Sequence, residues 1–229
     1  MSAKRQRAIL AVGLGVLVLT PAVAYTYTLL SPTRHWASIP VSVCVISPGH
    51  VSIDDSDGGI TAVIQTLNGN YPKLAATGWN VTSAGTVVNA SQCSNRWALG
   101  DGIPTVAFNE MIKGTCSGSC LAATFTGYYG CNSPLPDSHC IIQDADVETR
   151  RNKRDPSGGP YYSLYEPCTP GKEWNIEAIM VHEVGHVLGI GHSNVAGATM
   201  YPSVSSCNAA PAVISSDDAA ALNALYPSP

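Results

Sequence analysis

Residues 176–192 read IEAIMVHEVGHVLGIGH, and this run decides how the rest of the chain is read. His182, Glu183, His186, Gly189 and His192 stand in it with the spacing H-E-x-x-H-x-x-G-x-x-H. An α-helix advances about 100° per residue, so positions four apart differ by only about 40° and His182 and His186 share a face. Two neutral imidazoles on one face can fill two corners of a tetrahedral zinc site. Glu183 falls beside such a metal, where its carboxylate can take a proton from a metal-activated water. Glycine enters the left-handed conformation of a helix stop without a Cβ clash, so Gly189 ends the helix. The chain then turns back and can deliver His192 as a third ligand, leaving a fourth position for water and substrate. A buried helix carrying three histidines by coincidence would leave five constrained positions unexplained. The expectation is one catalytic zinc ion on His182, His186 and His192, with Glu183 as general base.

Around this run the chain has 229 residues, enough for one domain with a substantial core. Lys4, Arg5 and Arg7 precede an apolar stretch at 8–19, and Ala22-Val23-Ala24 supplies small residues for cleavage before Tyr25. That pattern predicts a signal peptide at 1–24 and a secreted product. Pro21 and the short apolar run argue against a membrane span. Without the leader, nine basic residues face 16 acidic ones, a balance that does not suit nucleic acid. All eight cysteines (44, 93, 116, 120, 131, 140, 168 and 207) lie after the leader. An even number behind an export signal reads as disulfides, although eight cysteines allow 105 pairings. Proximity suggests Cys116–Cys120 and Cys131–Cys140. A second zinc site from Cys116, Cys120, Cys131, His139 and Cys140 is the weaker reading, because exported thiols oxidise and no C-x-x-C pair is present. Sequons at Asn80 and Asn89 matter only where exported proteins are glycosylated.

In chain order, residues 25–35 show little pattern and form a short leading segment before a domain at 36–229. Val41, Val43, Val45 and Ile46 mark a first strand. Ser56 or Asp57 can cap a helix through about Leu67, with Ile60, Val63, Ile64 and Leu67 at helical spacing. Trp79–Val88 reads as a strand or hairpin, Thr105–Phe108 as a short strand, and Leu121–Tyr129 and Cys140–Val147 as two longer ones. Asp144 and Asp146 are the candidate calcium ligands, but aspartates alternating along a strand are expected as solvated side chains, so calcium is not supported. Residues 150–160 form a basic Gly/Pro-rich loop, with Arg150-Arg151 the alternative of a processing site. Asn175 can cap the helix of the histidines, and Glu177 suits its first turn. Residues 193–214 carry no period. Ser215-Ser216-Asp217-Asp218 then caps a last helix with Leu222, Leu225 and Tyr226 inward. The order predicts an α+β domain, a mixed twisted sheet with an active-site helix. An upper subdomain runs to about 189, and a small lower one at 190–229 ends in a helix.

With these residues in view, the chain resembles a metzincin peptidase, and within that clan the matrixins, the matrix metalloproteinase group. The zinc motif reaches a third histidine, and Ser193 follows it directly. Ala198-Thr199-Met200-Tyr201-Pro202 is similar to the Met-turn, in which Met200 would pack beneath the ligands. Asp217-Asp218 through Leu225-Tyr226 is similar to the terminal helix of that family. Leu121-Ala122-Ala123-Thr124-Phe125 resembles its substrate-binding edge strand. The resemblance implies an endopeptidase that binds an extended peptide against Leu121, Ala122 and Ala123, with Tyr201 and Pro202 on the facing wall, acting as a monomer. The chain departs from vertebrate-type relatives in having no inhibitory-cysteine propeptide motif. His35, His50 and His139 also lack the spacing of the structural zinc site, so cystines are expected in that role. An inactive metzincin-like binding protein and a zinc hydrolase of a non-protein amide are the alternatives. A decayed relative should have lost the glutamate or a ligand, and all four residues are present.

Overall fold

The computed structural model describes residues 27–49, 53, 56–69, 79, 86–94, 100–108, 120–131, 140–149, 161–164 and 168–227. Six strands form the main sheet: β1 (Arg34–His35), β2 (Val41–Ile46), β3 (Val88–Cys93), β4 (Thr105–Ala107), β5 (Ala122–Tyr129) and β6 (Cys140–Thr149). β2 lies parallel between β3 and β4, and β4 lies parallel to β6. β5 runs antiparallel along the whole of β6, from Ala122 opposite Thr149 to Tyr129 opposite Ile141. β1 and β4 share the other side of β6, β1 at its start and β4 at its end. Among the described residues β5 pairs with β6 alone, so it is a sheet edge.

Two helices, α1 (Ile60–Leu67) and α2 (Ile176–Val187), touch each other and the sheet. Helix α1 meets β2 and β3 while α2 meets β5 and β6, so both cover one face. Ile60, Val63 and Leu67 of α1 meet Val181, Val184 and Val187 of α2 in one core with Val43, Val45 and Val147. This is the expected α+β arrangement with an active-site helix. A small parallel pair, β7 (Tyr161–Ser163) and β8 (Glu173–Asn175), leads into α2. Asn175 caps α2 as its sequence suggests, its Oδ1 accepting from the Ala178 amide at 2.7 Å. After α2 come a single 3₁₀ turn at Ala210–Ala212 and α3 (Ser216–Leu225), which opens on a capping box of Ser215 and Asp218.

Several expectations are corrected. Of the strand or hairpin read at Trp79–Val88, residues 80–85 lie outside the described residues; Trp79 lies in a bend and is fully buried, and Val88 opens a strand that continues beyond the expected end to Cys93. Helix α1 has Gly59 at its N-cap, in the left-handed conformation at φ 87°. The Asp57 carboxylate acts from two residues upstream, accepting from the Gly59 and Thr61 amides. Asp144 and Asp146 are not solvated. Asp144 accepts from the amides of Gly100 (2.6 Å) and Gly102 (3.1 Å) and is 5 % exposed, while Asp146 is fully buried and accepts from the Thr105 hydroxyl. The segment at 25–35, patternless in sequence, contributes β1, and Leu29 forms an antiparallel bridge to Ile190.

Among the described residues, three disulfides join Cys44 to Cys93, Cys131 to Cys140 and Cys168 to Cys207. The second is the pair that proximity suggested. Cys120 is also disulfide-bonded; its expected partner Cys116 lies outside the described residues. So do the predicted signal peptide, the Asn80 sequon, His50, His139 and the basic loop at 150–160. Asn89 is exposed on β3.

Candidate active site

Helix α2 and the turn after it bring His182, His186 and His192 together, with one ligand atom of each within 4.8 Å of the others. The Nδ1 of His182 faces the Thr199 carbonyl at 2.7 Å, and that of His186 faces the Ile190 carbonyl at 2.7 Å. Each Nδ1–H therefore donates to a carbonyl, which sets the tautomer and leaves Nε2 as the metal-binding atom. The Nε2 atoms of His186 and His192 stand 3.2 Å apart, close to the separation of about 3.3 Å that two nitrogens about 2.05 Å from one tetrahedral zinc require. Burial and the neighbouring His182 and His192 push the pKa of His186 down to about 3. Burial, then His182, lowers that of His192. Both rings are thus neutral at physiological pH, the form a metal needs. Three converging imidazoles, two of them with Nδ1 held by a carbonyl, fit a zinc ion.

The turn that delivers His192 depends on close backbone approach. Trp36 Nε1 donates to the Val187 carbonyl (2.8 Å) and the Tyr226 hydroxyl to that of Leu188 (2.9 Å), satisfying the C-terminal carbonyls of α2. Gly189 follows at φ 97°, and a Cβ there would lie 2.0 Å from the Arg34 carbonyl oxygen. Sequence explained this glycine by the helix stop alone; contact with β1 is a second reason for it. The segment before β1 then bonds to the ligand loop. The Leu30 amide donates to Gly189, the Gly191 amide to Thr28, and the Thr28 hydroxyl to the His192 carbonyl.

Beneath the ligands, Met200 is fully buried. A Cβ on Gly185, between the two helix histidines, would meet Met200 Sδ at 2.2 Å and Trp79 Cζ2 at 2.6 Å. Methionine and tryptophan together thus floor the site, and the indole is held by its Nε1 donating to the Val181 carbonyl at 2.8 Å. The two aspartates of α3 tie this floor down. The Ser193 hydroxyl donates to Asp217 Oδ2 at 2.7 Å, next to ligand His192. Asp218 Oδ2 accepts from the Thr199 amide at 2.7 Å and Oδ1 from the Met200 amide at 3.1 Å.

The histidines open onto a cleft of about 670 Å³. Leu121, Ala122, Ala123 and Thr124 line one side, and Tyr201 and Pro202 line it as well, so every residue expected at the substrate site borders this one space. Val204 lines it too, and so do Trp174, Ile179 and Pro211, to which sequence had not pointed. Ile179 stands three residues before His182 on α2, and that spacing was the available signal. The Cys168–Cys207 disulfide fastens the loop of Val204 to the turn before β8, where the Cys207 amide also donates to the Glu173 carbonyl. Glu183 is 7 % exposed beside the histidines. Burial raises its pKa, opposed by His182 and by the Thr124 hydroxyl, which donates to its Oε2 at 2.6 Å.

The model of the matrixin family matches residues 79–227, more than half of the chain and all of the site just described except its N-terminal strap. This chain is a matrixin. Among plant relatives, it is 57 % identical over 30 residues to the metalloendoproteinase 4-MMP of Arabidopsis thaliana, a stretch covering 13 % of this chain and 9 % of that protein. It is 52 % identical over 31 residues to the metalloendoproteinase 5-MMP of the same plant, covering 14 % and 9 %. The chain therefore matches less than a tenth of the length of these curated relatives. Matrixins are zinc-dependent metalloendopeptidases, and the three converging histidines of this matrixin form a group able to hold such an ion.

Proposed function

We propose that this matrixin is a secreted zinc endopeptidase that cuts extended polypeptide with Glu183 as general base. The observation carrying the reading is the meeting of three imidazoles, a buried carboxylate and a sheet edge that has no outer partner among the described residues, all in one cleft. Zinc held by His182, His186 and His192 would supply Lewis acidity, lowering the pKa of a water toward about 7 and polarising a carbonyl oxygen. The Glu183 carboxylate takes the proton of the attacking water and hands it to the departing amine nitrogen. Leu121 immediately precedes β5 and Ala122 and Ala123 open it, and the outer edge of this strand can accept a peptide as an added strand. Tyr201 and Pro202 close the other side and hold that strand in place. Export is supported by the leader-like residues 1–24 and by disulfides at Cys44–Cys93, Cys131–Cys140 and Cys168–Cys207. The test is digestion of a diverse peptide library by the purified protein. Internal cleavage that a zinc chelator stops and added zinc restores is expected. A zinc-loaded protein that cleaves no peptide would overturn the reading.

A further inference from the structure

Among the described residues, the side-chain donor to the Glu183 carboxylate is the hydroxyl of Thr124, which comes from a different element, β5. Its oxygen lies 2.6 Å from Glu183 Oε2 and 3.1 Å from the Glu183 backbone carbonyl. A hydroxyl has a single proton to give. The shorter and charge-assisted contact takes it, and the carbonyl already belongs to the ladder of α2. Thr124 is itself well placed to do this. It pairs with Val147 of β6 in the middle of the longest ladder in the sheet, and β-branching stiffens its χ1. A glutamate on a helix has three side-chain torsions, so a fixed partner at Oε2 removes most of its freedom.

We propose that Thr124 is a positioning residue for the reaction: its hydroxyl anchors Oε2 of Glu183, holding the carboxylate in one rotamer so that Oε1 takes and returns the proton. This rests on the peptidase reading above, in which Glu183 is the base. No proton moves through Thr124, whose hydroxyl keeps its hydrogen throughout. The anchor also couples the base to the strand that would hold the substrate. Thr124 directly follows Ala123, so the residue that orients Glu183 and the edge that aligns the peptide are set by the same backbone.

The test compares Thr124→Val, which keeps the shape and loses the hydroxyl, with Thr124→Ser, which keeps the hydroxyl and loses the methyl. In the zinc-loaded protein Thr124→Val should lower kcat by about 10- to 100-fold, the range in which misplacement of a catalytic group is felt. KM should stay within about twofold, and zinc affinity in competition with a chelator should not change. Thr124→Ser should recover kcat to within about threefold of the wild type. Wild-type kcat in Thr124→Val, or a Ser variant as slow as the Val variant, overturns the proposal; so does a rise in KM at constant kcat, which would make Thr124 a substrate contact. Crystal structures of the zinc-loaded forms read the anchor without turnover: one Glu183 rotamer on Thr124 in the wild type, and a displaced or multiple rotamer in Thr124→Val. An inactive wild type with that single rotamer sinks the peptidase reading alone. A Glu183 carboxylate away from Thr124 in an active wild type sinks this inference alone.

Discussion

Replacing Asp218 by alanine should cost more stability than any other single change in α3. The side chain is fully buried and has four donors on it: the amides of Thr199, Met200 and Ser215, and the Ser215 hydroxyl. Thr199 and Met200 are themselves 1 % and 0 % exposed, so truncation strands two buried amides. Each stranded donor costs about 1–3 kcal/mol, and loss of the helix cap adds about 1 kcal/mol. The expected loss is about 3–7 kcal/mol against a total of about 5–15 kcal/mol for an ordinary domain. Because His182 is oriented by the Thr199 carbonyl, zinc affinity should fall as well, by about 10- to 100-fold. Urea unfolding of the zinc-free protein measures the first effect, with an unchanged m-value confirming that the transition is comparable. Chelator competition measures the second. Asp218→Asn keeps the shape and one acceptor oxygen but turns an NH₂ group toward donors, so it should fall between wild type and Asp218→Ala and remain foldable if the alanine variant is not. A loss under about 1 kcal/mol in both variants, with zinc affinity intact, would refute the role given to Asp218.

Gly185→Ala should lower the melting temperature: overpacking against Met200 and Trp79 costs about 1–3 kcal/mol, more than the gain of about 1 kcal/mol from helix propensity. A higher melting temperature would show that Trp79 and Met200 make room. Burial pushes Asp146 up to about 7 from 3.8, opposed by Thr105 and reinforced by Asp144 and Asp101. Between about pH 4 and 7 the folded protein therefore keeps a proton that the unfolded chain releases, so its stability falls as pH rises through that window, by on the order of 4 kcal/mol. The lowered pKa of His186 works in the opposite sense over about pH 3 to 6.5. The informative quantity is thus the difference between wild type and Asp146→Asn in urea. That difference should widen in favour of the asparagine variant from pH 4 to 7 and then stay flat; a constant difference contradicts the assignment.

What sequence made legible was local. The pattern from His182 to His192 spans eleven residues on one helix and one turn, so its chemistry follows from helical geometry without any knowledge of the sheet. Asn175 and Ser215 cap helices that begin at the next residue, and both were readable for the same reason. The features that escaped join distant parts of the chain. Asp144 and Asp146 look like solvated strand residues until Gly100, Gly102 and Thr105, about 40 residues earlier in the chain, are brought against them. Strand β3 is polar at Asn89, Ser91 and Gln92, as befits a sheet edge, and its period was too weak to show. Thr124 and Glu183 are 59 residues apart, and nothing local in either links hydroxyl to carboxylate. Tyr201, Pro202 and Leu121 to Ala123 were legible only through resemblance to matrixins, because no periodicity places two loops and a strand around one cleft.

The central claim is that this matrixin hydrolyses peptides with Glu183 as the base of a zinc site formed by His182, His186 and His192. Glu183→Ala tests it most directly, with bound zinc and peptide cleavage measured on the same sample. The account predicts about one zinc per chain, as in the wild type, with hydrolysis reduced by a factor of about 10² or more, the scale of a lost general base. A variant that holds its zinc and still cleaves at the wild-type rate would contradict it.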